Sequence, residues 1–182
     1  MLYVDHRQEP SLKPMLIILV VIILISVYGF VSVLSGDPLW FSSRFNATPS
    51  EIYVHCYGET TEIEPGSGQF RAITTVVNQA LSGTKRWDEL SLSDQTYQDY
   101  KTRNDTVMLE LYYPEPIRIH TNTRLFSNVS NLIIPLEGRH ANTEAIFGRH
   151  NGLPAGGSLH IESNKPIRNL LAQQDICPFK QP

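Results

Sequence analysis

Recognisable chemistry is what this sequence lacks. It has only two cysteines, Cys56 and Cys177, with no C-x-x-C pair between them and no c-type haem attachment sequence. It has no G-x-S-x-G nucleophile elbow, no H-E-x-x-H and no Walker loop, so no catalytic or cofactor motif is present. EPGSG (Glu64–Gly68) has neither the Lys-Ser/Thr ending nor the glycine spacing of a phosphate loop and reads as a helix entry. There is no basic run, and the net charge is −3, which gives no reason to expect nucleic acid or an anionic-lipid patch. Repeats of 20–50 residues and low-complexity tracts are absent too. At 182 residues, 41% hydrophobic and 18% charged, the chain suits one compact domain of roughly 120–130 residues with appendages.

Charge is missing altogether from Met15–Ser35, MLIILVVIILISVYGFVSVLS, and this is the strongest positive signal. Its 21 residues can cross a hydrocarbon core of about 30 Å. A cleaved signal peptide would carry a shorter apolar run, about 7–15 residues, and a small-residue cleavage site; VLSG does not supply one. An uncleaved membrane anchor is expected. Arg7 and Lys13 precede it, beside Asp5 and Glu9, whereas Arg44 alone follows, after Asp37. The Lys/Arg balance puts the C-terminal domain on the extracytoplasmic side, with Trp40 as an interfacial anchor. Ser26, Gly29, Ser32 and Gly36 fall on one stripe where a neighbouring helix could approach closely, although scattered Gly and Ser are common in such helices.

These signals divide the chain into an N-terminal tail (1–14), the transmembrane helix (15–35), a polar tether (36–50), an extracytoplasmic domain (51–174) and a C-terminal tail (175–182). EIYVHCYG (Glu51–Gly58) is strongly β-like. Phe70, Ile73, Val77 and Ala80/Leu81 recur at the helical period over about 67–81, with Gly83 just past the end. A polar excursion over 84–104 holds Trp87, Leu90, Leu92 and two tyrosines, with room for one short helix. Strand signals follow at Thr106–Tyr113, Ile117–Thr121, Asn131–Leu136, Thr143–Gly148 and Gly157–Ser163, then a helix over about 166–173 opened by a proline. The expectation is an α+β domain: a mainly antiparallel sheet of about five or six strands with helices packed on one face.

Two-residue alternation sorts the side chains of these strands. Ile52, Val54 and Cys56, then Val107, Leu109, Leu111 and Tyr113, then Ile117 and Ile119, then Leu159 and Ile161, belong to the helix side. The opposite side collects Tyr53, His55, Tyr57, Glu110, Tyr112, Arg118, His120, His160 and Glu162. So rich a set of Tyr, His and Arg suggests a partner-binding face, since Tyr and Arg are favoured at interfaces. A plain solvated face and a small-ligand or metal site at His55, His120 and His160 are the alternatives, and strand order decides the metal reading. The triplet Gly-Arg-His occurs twice, at 138–140 and 148–150. Turn chemistry explains it if Gly138 and Gly148 bracket a strand, with Asn151-Gly152 and Gly156-Gly157 as further turns. An anion-binding corner of Arg139, His140, Arg149 and His150 is the sharper alternative.

Cys56 and His55 are strand neighbours and point to opposite faces, so they form no local dyad. Cys56 and Cys177 are either a disulfide, as two cysteines in an oxidising compartment suggest, or two separate buried thiols. Asn46, Asn104 and Asn128 head N-x-S/T sequons, which matter only in a eukaryotic lumenal or extracellular setting. The function expected is an accessory or scaffold subunit of a larger integral-membrane complex, energy-transducing complexes among the candidates. Its partners would be other integral membrane subunits and membrane lipid, with no cofactor, metal or nucleic acid. The alternative is an extracytoplasmic enzyme or a ligand- or metal-sensing domain.

Overall fold

The computed structural model describes residues 12–179. The flank charges Asp5, Arg7 and Glu9, the rest of the tail to residue 11, and residues 180–182 lie outside the described residues. Helix α1 (Leu12–Ser35) is long and apolar enough to cross a membrane, and Ser35 is its only buried residue. It ends where Gly36 takes a left-handed φ of 63° and the Asp37 N–H reaches back to the Ser32 carbonyl at 3.2 Å, a Schellman stop.

Beyond it lies an α+β domain. Its strands are β1 (Glu51–Cys56), β2 (Glu59–Glu62), β3 (Arg86–Asp88), β4 (Val107–Ile117), β5 (Val129–Glu137), β6 (Ala145–His150) and β7 (Leu153–His160). They form one antiparallel sheet in the order β2-β1-β4-β5-β6-β7-β3. Seven strands, not five or six, arise because the short edge strands β2 and β3 carry no apolar alternation. Tyr57-Gly58 and Asn151-Gly152, all at positive φ, make the two-residue hairpin turns β1–β2 and β6–β7.

Helices α2 (Gly68–Ser82) and α4 (Lys165–Gln173) cover one face. The Ser67 hydroxyl caps α2 by accepting from the Phe70 N–H, and Phe70, Ile73, Val77 and Leu81 turn inward. They meet Ile52, Val54, Leu109, Leu111, Leu132, Ile134 and Leu159 in the main core. Each such side chain, fully buried, contributes about 1.5–3 kcal/mol. Helix α3 (Asp94–Thr102) lies on the opposite face, where Leu92, Tyr97 and Tyr100 pack on Met108, Ile133 and Phe147. Helices therefore cover both faces, and the expectation of one covered face is corrected: the polar excursion supplies a second, smaller core.

Three other readings change. The tether of residues 36–50 is pinned as a strap, its start folded back on the end of α1 and residues 45–47 held along α2. The Phe45 N–H donates to Ser82 Oγ (3.0 Å), Asn78 Nδ2 donates to the Ala47 carbonyl (3.1 Å), and Phe45 itself is buried. Ile117–Thr121 is not a separate strand, since β4 runs through an irregularity to Ile117 and the chain then leaves the sheet. Among the glycines, Gly138 is a turn residue at φ 108°, but Gly148 lies inside β6, where an added Cβ would sit 3.0 Å from Phe126 Cε1. Gly157 lies inside β7 at φ 90°, and the paired strand β3 runs so close that a Cβ there would come within 2.4 Å of the Asp88 carbonyl oxygen.

Register gives the domain two ends. Ile117 pairs with Val129, and Asn131 with Arg149, so the 118–128 loop and the β6–β7 turn share one end. The β1–β2 turn and Gly138 lie at the other.

Candidate functional site

Cross-strand pairing of β1 with β4 sets Tyr53 opposite Glu110, and α3 descends over them. Glu110 is 1% exposed, and five donors surround its carboxylate. Tyr112 OH (2.9 Å), Asn131 Nδ2 (2.7 Å) and Tyr97 OH donate to Oε1; His55 Nε2 (3.0 Å) and Lys101 Nζ (3.2 Å) approach Oε2. Burial alone would raise the Glu110 pKa, but hydrogen bonds from His55, Tyr97 and Asn131 and the Lys101 charge outweigh it and bring it down to about 2. Glu110 is thus an ion at any physiological pH. A carboxylate only accepts, so His55 Nε2 carries a proton, and with a neutral ring Nδ1 accepts from Thr60 Oγ1 at 2.9 Å. Tyr97 is pushed far up by burial and by its bond to Glu110, and it stays a donor.

Above this floor is an open depression of about 300 Å³ between Tyr53 and Tyr112, with Glu51, Thr60 and Lys101 on its rim. The two tyrosine rings meet edge to face at 5.9 Å, and Tyr53 OH donates to Glu51 at 3.0 Å, which raises its pKa to about 12. Each polar side chain around the depression has a hydrogen-bond or ion-pair partner. That suits recognition by shape and aromatic contact.

The other residues assigned to this face lie elsewhere. Tyr57 is in the hairpin turn and donates to Glu137, which Arg168 of α4 also reaches at 3.0 Å; this is the side covered by α2 and α4. His160 Nε2 is 3.1 Å from Asp88 Oδ2 at the far edge of the sheet, and Glu162 is exposed beside Gly83. Three strands separate β1 from β7, and His120 is outside the sheet, so His55, His120 and His160 cannot share a metal. Among the described residues no three His, Cys, Asp or Glu side chains gather. The Arg/His corner does not form either. Arg139 and His140 lie at one end of β6, Arg149 and His150 at the other, on the order of 15–20 Å away along the strand. His140 is buried between Tyr100 and Phe147, and Arg149 lies over the Tyr97 ring and bonds Asp94 at 2.8 Å. His150 stands beside Asn151 in the turn.

Arg118 and His120 join a second constellation, at the end of α1. Arg124 Nε donates to the Leu34 carbonyl (2.8 Å) and its Nη2 to that of Val33, while Arg118 Nη1 donates to the Gly36 carbonyl (2.9 Å). His120 Nδ1 is 2.7 Å from Asp37 Oδ2. Arg124 therefore satisfies carbonyls that any helix leaves open at its C-terminus, Arg118 holds the carbonyl of the Gly36 stop just beyond, and both charges complement the helix dipole. Along the proposed small-residue stripe, Ser26 is exposed, Gly29 has nothing within 4 Å, and Ser32 is half-buried. Gly36 is outside the helix, at its stop. Cys56 and Cys177 are disulfide-bonded, joining β1 to the segment after α4.

Sequence reasoning passed over Tyr97, Lys101, Asn131 and Thr60 around Glu110, and Arg124 and Asp37 at the helix end. Tyr97 and Lys101 stand four apart on α3, a spacing that was legible; Arg124, in a polar loop, carries no local signal. No known protein family, curated protein or solved structure matches the chain.

Proposed function

We propose that this protein is a membrane-anchored accessory subunit of a larger integral-membrane complex, with its domain on the extracytoplasmic side. The grip of Arg124 on the last carbonyls of α1, and of Arg118 on the Gly36 carbonyl just past its end, carries this reading. A domain that searches for soluble substrate gains from a loose tether; one clamped to its span presents a surface at fixed height and angle. The Tyr53–Tyr112 depression is the docking surface of choice, rigid and aromatic with one cation on its rim. The Cys56–Cys177 bond supports the extracytoplasmic side, since disulfides persist in oxidising compartments. The test is purification from native membranes in mild detergent, followed by native mass spectrometry. A stoichiometric integral-membrane partner is expected, and Tyr53→Ala with Tyr112→Ala releases it while leaving the fold intact. A monomer in both cases refutes the reading.

One observation favours the alternative, an enzyme on the same face: Thr60 Oγ1, His55 and Glu110 stand in line like a nucleophile, base and orienting acid. Under that reading Thr60→Ala abolishes labelling by acylating probes, and partner binding is untouched.

A further inference from the structure

Outside α1, the exposed large hydrophobic residues are Leu39, Phe41, Leu125 and Leu153, among the described residues. They come from three separate segments, yet all lie at the end of the domain from which α1 projects. Leu125 belongs to the loop whose Arg124 grips α1, and its side chain would contact a Cβ placed on Gly156. Leu153 follows the β6–β7 turn, level with the start of β5, and is 70% exposed. After the Schellman stop the strap turns back along the helix: Tyr28 OH donates to the Pro38 carbonyl (3.1 Å), and the Phe41 ring lies 6.2 Å from that of Tyr28. Tyr28 is seven residues before Ser35, about 10 Å along the axis at 1.5 Å per residue. Phe41 thus sits at the junction, against Tyr28 of the helix on one side and in a cleft with Lys85 and His120 of the domain on the other.

We infer that this end of the domain is a lipid-contacting surface, with Leu39, Phe41, Leu125 and Leu153 entering the interfacial layer of the bilayer around α1. It rests on α1 as a membrane span and not on the subunit reading. Continuity with the span selects lipid as the occupant, since Phe41 packs on a residue of the span itself. Size argues the same way. Four partly exposed side chains spread over three loops offer far less than the roughly 800 Å² per partner that a stable protein interface needs. Arg118 and Arg124 are exposed at the level of the helix end, where long cationic side chains reach the headgroups while their stems cover apolar surface. The domain would then be seated on the bilayer at three points: the strap, the β4–β5 loop and the β6–β7 turn.

The test places a nitroxide at Leu125→Cys, at Leu153→Cys and, at the opposite end, at Arg139→Cys. The full chain, with its disulfide intact, is reconstituted in phosphatidylcholine/phosphatidylglycerol vesicles. Collision with oxygen, which partitions into lipid, is compared with collision with a water-soluble nickel chelate. The inference requires oxygen to dominate at 125 and 153 and nickel to dominate at 139. Nickel dominating at all three sites would show a free aqueous surface and overturn it. Protection of 125 and 153 from both reagents would overturn it as well, since another protein chain would then cover them. Native mass spectrometry reads the subunit proposal separately, so either can fail alone.

Discussion

His55 Nε2 stands 3.0 Å from Glu110 Oε2, and both side chains are almost wholly removed from solvent. The pair joins β1 to β4 beneath α3, and with Tyr97, Tyr112, Asn131 and Lys101 it leaves the carboxylate no open acceptor site. A buried charge so completely satisfied rigidifies whatever is built on it. Here that is the aromatic rim of the depression.

Glu110 makes stability depend on acid. Its pKa falls from the ordinary value of 4.5 to about 2 in the folded protein. The charge therefore contributes its full share above about pH 4.5, and that share drains away as pH falls through about 2. The effect is on the order of 3 kcal/mol. Denaturant unfolding of the parent chain and of Glu110→Gln across this window should show the difference between them shrinking as pH falls. A constant difference would contradict the assignment.

The Cys56–Cys177 bond closes a loop spanning a sequence separation of 121 residues. Replacing both cysteines with alanine should cost about 5 kcal/mol on the chain-entropy treatment. It should also expose the segment after α4 to limited proteolysis. A loss below about 1 kcal/mol would show that α4 and the core hold that segment alone.

Gly157 and Gly66 separate strain from collision. Both have positive φ, but only at Gly157 would a Cβ strike backbone; at Gly66 it meets nothing within 4 Å. Gly66→Ala should cost about 1 kcal/mol, and Gly157→Ala well over 2 kcal/mol, with β3 detached from β7. Equal losses in thermal unfolding would contradict the close approach.

Much of the fold was legible where periodicity is strong. The apolar run of α1, the i, i+3, i+4, i+7 face of α2 and the alternation in β1 and β4 each reflect one environment per face. Ile117, Arg118, Ile119 and His120 show where this stops. Ile119 does reach the core, but the chain has left the sheet, so Arg118 and His120 meet Gly36 and Asp37 at the end of α1 and not Tyr53. β2 and β3 were invisible because an exposed edge strand needs no apolar pattern. Of the site, Tyr53, His55, Glu110 and Tyr112 were placed together by alternation alone. Of the residues that complete it, Tyr97 and Lys101 share one face of α3 by their four-residue spacing, but tertiary packing alone brings that face, and Asn131 of β5, to Glu110.

Held by Arg118 and Arg124, α1 and the domain should behave as one fixed body. Double electron–electron resonance between nitroxides at Leu24→Cys in α1 and Arg139→Cys at the far end of the domain, in lipid nanodiscs, measures this directly. A single narrow distance distribution is predicted, broadening when Arg118 and Arg124 are both replaced by alanine. A broad distribution in the parent chain, or a width indifferent to the two arginines, would contradict the clamp and the function built on it.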